Sequence, residues 1–223
     1  MKLFFIFLIL FVFSTEIFAR QTDAQVWNDL QLILPLKTVK DAKNKNVDQI
    51  VLRLDGVARL GRDVSFPVDN RVAATLDFRV NKYLKFSSGY LYRKFEQIPN
   101  RKSYETRLTF AANLEKKFDL FTFRHRSQIE YRFLNYRPNT EVYRPRFQLF
   151  YSLKHDKKEI FAPFVSEERF YDFRQHKTTR NEFYAGVTRR LTRKVSLDLY
   201  YVRLNTNPVN ANALGTILKI RLW

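Results

Sequence analysis

Cysteine is absent from all 223 residues, which excludes disulfide scaffolds, cysteine-ligated zinc sites, iron–sulfur clusters and a lipid anchor on an N-terminal cysteine. The three histidines include no pair at metal-ligand spacing, so no cofactor or metal is expected. Long apolar runs are missing too. Beyond an eleven-residue stretch, Leu3 to Phe13, nothing approaches the ~20 residues of a spanning helix, which removes the α-helical membrane class. Acidic residues are the scarcer charge, with 22 Asp and Glu against 40 Lys and Arg, for a formal charge of +18. Aromatics are abundant: 22 Phe and 12 Tyr in a chain that is 45% hydrophobic. That much apolar surface excludes disorder, and the length suits one domain.

The opening segment reads as an export signal. Met1-Lys2 starts it, the apolar run follows, and Ser14 to Ala19 is a polar stretch closing on a small residue. Residues 1–19 are therefore expected to be a signal peptide and 20–223 a single domain. Lys2 and Glu16 leave together, so the mature chain keeps its +18.

The rest of the chain has period two. Over 121–133, Phe121, Phe123, Ile129, Tyr131 and Phe133 share a face with His125 and Ser127, while Thr122, Arg124, Arg126, Gln128, Glu130 and Arg132 form the other. A strand separates these sets, whereas a helix would smear them around its axis. Similar alternation marks 26–36, 48–60, 71–80, 83–94, 104–114, 143–154, 160–172, 181–191, 195–204 and 213–223. These segments approach the ~9–11 residues of a membrane-crossing strand rather than the ~5–6 of a globular one. Short connections (81–82, 115–117, 155–158, 192–194) alternate with longer polar ones (61–70, 95–103, 134–142, 173–180, 205–212), the rhythm of outer-membrane barrels. The fold expected is an all-β, antiparallel, up-and-down transmembrane barrel of ten strands, with twelve as the alternative. Segment 26–36 is the one that does not fit an even count.

Period two alone also fits a soluble lipocalin-like barrel with the apolar parity inside. Strand length, turn rhythm and aromatics such as Tyr83, Phe86, Tyr92, Phe118, Phe133 and Tyr201 on the apolar parity favour the membrane form. The chain ends on Trp223 after Leu218, Ile220 and Leu222, resembling the C-terminal signal read by the outer-membrane barrel assembly machinery. Lys219 and Arg221 stand on the parity of Trp223, where that signal is usually apolar, and five glycines are few for such a barrel.

The runs Gln25-Val26-Trp27-Asn28-Asp29, His125 to Arg132, Tyr143-Arg144-Pro145-Arg146, Phe164 to Glu168 and Arg180 to Gly186 resemble the DUF2490 family. That resemblance implies a bacterial outer-membrane barrel in a Gram-negative cell, of unassigned function, and supplies no substrate or catalytic residue.

For the interior, pairing about the 134–142 loop is expected to bring Glu130 near Arg144 and Arg146. Arg124, Arg126, Arg132, Glu167, Glu168, Glu182 and Arg190 complete an expected lumen-facing Arg–Glu network, with a bulge turning both Glu167 and Glu168 inward. Such a network either plugs a narrow lumen or lines a basic pore for small anionic solutes. The competing chemistry is His125 and Ser127, which resemble the dyad of outer-membrane lipid A deacylases. The expected register puts His125 opposite about residues 107 and 150, with no acid to orient it, so a non-enzymatic barrel is preferred. Nucleic acid is not an expected partner, because the arginines alternate within strands of an exported chain. Outer-membrane lipids and lipopolysaccharide are, through basic residues in connections such as Lys37, Arg101, Lys102, Arg193 and Lys194.

Overall fold

Alternation along the chain becomes twelve strands in a computed structural model that describes residues 22–41, 44–96, 100–155, 158–206 and 210–222. The expected signal peptide and Trp223 lie outside the described residues. The strands are β1 (Thr22–Lys40), β2 (Asn46–Gly61), β3 (Phe66–Arg79), β4 (Leu84–Phe95), β5 (Ser103–Phe118) and β6 (Phe121–Leu134). They continue as β7 (Thr140–Tyr151), β8 (Leu153–His155), β9 (Lys158–Asp172), β10 (Lys177–Arg190), β11 (Val195–Thr206) and β12 (Asn210–Arg221). No helix occurs among the described residues.

Each strand pairs antiparallel with its chain neighbour, apart from the three-residue β8, which pairs only with β9 and leaves β7 to pair with β9 directly. The sheet closes where β1 runs parallel to β12, from Thr22 opposite Asn210 to Ile33 opposite Arg221. The barrel therefore has eleven strands. Segment 26–36, which broke the even count, is a full closing strand. An odd number of up-and-down strands can close only through one parallel seam, so β1 begins at the end opposite to the one where β12 finishes.

The strands also outrun their expected bounds and absorb much of the connections. Glu115 to Phe118 belong to β5, and the β5–β6 turn is Asp119-Leu120, with Asp119 at φ 44. The long connections shrink to 62–65, 96–102, 135–139 and 173–176, so the length alternation is weaker than the sequence indicated. For orientation, the end carrying these connections is the upper end, and the end carrying 80–83, 119–120 and 191–194 is the lower.

Side-chain parity then sorts residues in or out. Outward lie Val72, Leu76, Phe78, Phe86, Phe110, Ile129 and Leu199, all exposed; inward lie Asp69, Arg93, Glu105, Arg107, Glu130 and Glu168, all buried. The separation is not complete. An aromatic and aliphatic cluster also fills one side of the interior, from β1 and β9–β12: Trp27, Phe164, Tyr184, Tyr200, Val202 and Leu204. Glycine makes its packing possible. Gly215 faces inward on β12, and a Cβ there would sit 2.2 Å from the Tyr200 ring; Gly186 would meet the Tyr200 Cβ at 2.6 Å.

The β2–β3 turn stores backbone strain. Arg62, Asp63 and Val64 are successive left-handed residues at φ 52, 54 and 67. They are held there by the Asp63 amide donating to Asp23 Oδ1 at 3.1 Å and by Arg62 Nη2 donating to the Glu96 carbonyl at 3.0 Å. A left-handed L-residue costs roughly 1–2 kcal/mol, and a β-branched one is the least tolerant. Val64→Gly is expected to raise unfolding stability by about 1 kcal/mol after glycine's unfolded-state entropy is offset. The urea midpoint of the refolded protein checks this; an unchanged or lower midpoint contradicts the strain.

Candidate functional site: the interior charge layer

Barrel closure brings the inward arginines and carboxylates of seven strands, β2–β7 and β9, into one layer in the upper half of the lumen. On β3, Asp69 accepts two hydrogen bonds from Arg93 of β4, at 2.9 and 2.7 Å, and two from Arg71, at 2.9 and 2.5 Å. Arg93 also donates to Glu105 of β5 at 3.0 Å. Glu105 in turn takes both ends of the Arg107 fork, at 2.8 and 3.0 Å.

Glu130, on β6, is the node. It accepts from Arg107 Nη1 at 3.1 Å, Arg132 Nη2 at 2.6 Å, Gln128 Nε2 at 2.8 Å and Arg144 of β7. Arg144 then reaches Glu168 of β9 at 2.7 Å, which also accepts from Arg126 Nη2 at 2.5 Å. Glu105, Glu130 and Glu168 retain only 2%, 1% and 1% of their exposure, and burial at that level is tolerable for a carboxylate only when several donors satisfy it.

Aromatic faces cap the arginines. The Arg59 guanidinium lies 3.4 Å from the Trp27 ring centroid, Arg93 lies 4.0 Å from Phe95, and Arg144 lies 4.2 Å from Phe170. Trp27 donates from Nε1 to Gln25 at 2.8 Å, and Gln25 donates to Asp23 at 2.6 Å, which links the layer to the β2–β3 turn. Below the layer the lumen widens. Ala73, Thr75, Gly89, Thr109 and Ala111 are small inward residues, and they leave a polar cavity of about 240 Å³ bordered by Asp29, Asp55 and Arg126. At the lower end the cations are more exposed: Arg124 pairs with Glu115 at 2.6 Å, Lys85 with Asp77 at 2.8 Å and Lys219 with Asp198 at 2.5 Å.

Of the residues proposed from sequence, Arg126, Glu130, Arg132, Arg144 and Glu168 meet in this layer. Arg146 stands beside it and donates to Ser166 at 3.0 Å rather than to Glu130. Glu182 pairs instead with Arg180 and the Tyr184 hydroxyl on β10. Arg124 lies at the lower end, and Arg190 is exposed at the end of β10. Glu167 is not turned inward. The β7–β9 register runs without a shift past 167–168, so parity sends Glu167 outward, where it pairs with Arg169 at 2.8 Å. Trp27, Arg59, Asp69, Arg93, Glu105 and Arg107 also belong to the layer, although none is among the residues expected from sequence. Glu105 and Arg107 already stood on the polar parity of β5, and that was the usable signal.

An all-β closed barrel with a charged interior layer and an apolar exterior is the class these features define. The family model described as "Protein of unknown function (DUF2490)" matches residues 24–214, and the chain belongs to that family. No curated protein and no solved structure matches it.

Glu130→Gln removes the charge that Arg107, Arg132 and Arg144 share, and is expected to cost about 3–5 kcal/mol. Glu167→Gln, at an exposed pair, is expected to change stability by less than about 1 kcal/mol. Urea unfolding of the two refolded variants compares them; equal effects would show that the layer is not a stabilising node.

Proposed function

We propose that the protein is an integral outer-membrane barrel of structural type, with its lumen closed toward the upper end by the ion-pair and aromatic layer and accessible as a polar cup from the lower end. The observation that carries this reading is the inversion of burial. Glu105, Glu130 and Glu168 are inside, while Val72, Leu76, Phe78, Phe86, Phe110 and Phe133 are exposed over the outer wall. A lipocalin-like barrel in water requires the opposite arrangement, and an apolar exterior of this extent needs a partner that is itself apolar. In lipid every backbone group must be paired within the protein, and the closed sheet supplies that.

The edges of the apolar belt support the same reading. Lys116 on β5 is an exposed outward cation toward the lower end, and Glu141 on β7 an exposed outward acid toward the upper end. Around β9–β12 the upper outer wall is polar, with Glu167, Arg169, Asn181 and Arg203, and Tyr201 donating to Asn212 at 2.7 Å. Such a rim suits headgroups and the phosphates of lipopolysaccharide. The closed layer favours a plugged barrel over a standing anion pore.

Refolded protein is expected to need detergent for solubility, to float with vesicles and to show heat-modifiable gel mobility. In planar bilayers it is expected to show no steady conductance. Solubility without detergent contradicts the membrane reading; steady anion-selective steps contradict the plug.

A further inference from the structure

On β6 the outward face is apolar except at two adjacent outward positions, His125 and Ser127, which interrupt it between Phe123 and Ile129. Ionisable or polar residues on a lipid-facing wall are expensive, and their presence there points to function. The two side chains are brought together. His125 Nε2 lies 3.1 Å from Ser127 Oγ, and Ser127 Oγ lies 3.0 Å from the Tyr143 hydroxyl of β7. The imidazole stacks on Phe147, with ring centroids 4.4 Å apart and planes at 30°, which fixes its plane. The sequence-based register put His125 opposite residue 107; the true partner is Leu114, because the β5–β6 turn is 119–120.

Beside Ser127 the outer wall carries an apolar groove of about 500 Å³. Ala112 and Ser88 line it as small residues, with Phe78, Phe86, Phe110 and Ile129 around them. The groove runs from Ser127 across β5, β4 and β3, and the rung carrying His125 and Leu114 is not part of it. One outward position beyond Leu114 is Lys116, so a cationic side chain stands ~7 Å of strand from the rung of the imidazole, among Phe118, Phe121 and Phe123. The base therefore lies on the Lys116 side of Ser127, and the groove lies on the other side.

Resting on the membrane reading above, we propose that His125, Ser127 and Tyr143 form an acyl-ester hydrolase site on the outer wall, with the fatty acyl chain of a membrane lipid held in the groove. This departs from the non-enzymatic expectation. Ser127 Oγ attacks the ester carbonyl carbon and forms the new C–O bond while its proton passes to His125 Nε2. The Tyr143 hydroxyl donates to the oxyanion that develops. As the tetrahedral centre collapses, the bond to the lipid alcohol breaks and His125 returns the proton to the leaving oxygen. Water then repeats the sequence on the acyl-serine, releasing a free fatty acid and restoring the serine. The step needs no redox partner, only water. His125 Nδ1 is buried without a hydrogen-bond partner, so the site is a dyad oriented by packing rather than by an acid, and turnover is slow compared with a triad.

The test inserts the refolded chain into vesicles of glycerophospholipid, and separately into vesicles containing lipopolysaccharide, and measures released fatty acid by mass spectrometry. Flotation and heat-modifiable mobility report insertion and folding of every variant. Wild type is expected to release fatty acid in at least one arm, and that arm identifies the lipid. Ser127→Ala and His125→Gln are expected to lose ~10²–10⁴-fold, and Tyr143→Phe ~10-fold or more. A long-chain fluorophosphonate is expected to add its mass to the peptide carrying Ser127. Inserted wild type that releases no more than Ser127→Ala in either arm, with no adduct on Ser127, overturns the site and leaves the barrel reading intact. Wild type that folds but does not float overturns both.

Discussion

Three buried carboxylates, Glu105, Glu130 and Glu168, stand on β5, β6 and β9, and each is shared by arginines of at least two strands. This sharing is the constraint on which the rest depends. A carboxylate at 1% exposure is untenable alone and acceptable only inside a ring of donors; a ring of donors exists only if the sheet closes. Closure fixes which parity faces in. With the interior occupied by charge, the apolar parity must face out, and the exterior becomes apolar as a consequence of what the lumen holds. The opposite interior side, from Trp27 to Ala213, is filled by apolar packing, so the layer is buttressed on one flank by bulk and on the other by charge.

The same layer shows where many of the arginines of this strongly basic, strongly aromatic chain are placed. Arg93, Arg107, Arg132 and Arg144 point inward, forked onto carboxylates and stacked on Phe95 and Phe170. Arginine suits this role because its planar fork binds two partners and one aromatic face at once, which lysine cannot do. The lysines are spent elsewhere: Lys37, Lys40, Lys102 and Lys194 are exposed near strand ends and in connections.

Faces were legible in the sequence and registers were not. Alternation of side chains assigns in and out without any knowledge of partners, and Arg126, Glu130, Arg132 and Arg144 share the inward face. Register depends on where a turn is centred, and Glu115-Lys116-Lys117 looks like a turn by composition although those residues still pair across β5 and β6. That error displaced the partner of His125 and hid its surroundings. Glu167 was misplaced because two adjacent acids invite a bulge, whereas the chain solves the problem with Arg169 on the outside. The seam between β1 and β12 was illegible for a different reason: a parallel closing pair joins residues nearly two hundred positions apart, as in Thr216 donating to Asn28, and no local pattern announces it.

The central claim is that the outward parity of the strands meets lipid and that the inward parity of β5 and β6 meets a charged lumen. Because the chain contains no cysteine, single cysteines can be placed at will and spin-labelled. Labels at successive positions 127 to 131 on β6 and 107 to 111 on β5, in vesicles, report collision with oxygen, which partitions into lipid, and with a water-soluble nickel complex. Oxygen accessibility is expected to peak at 127, 129 and 131 and at 108 and 110, with minima between them. An absence of alternation, or outward positions that collide with nickel and not with oxygen, would contradict the inside-out barrel.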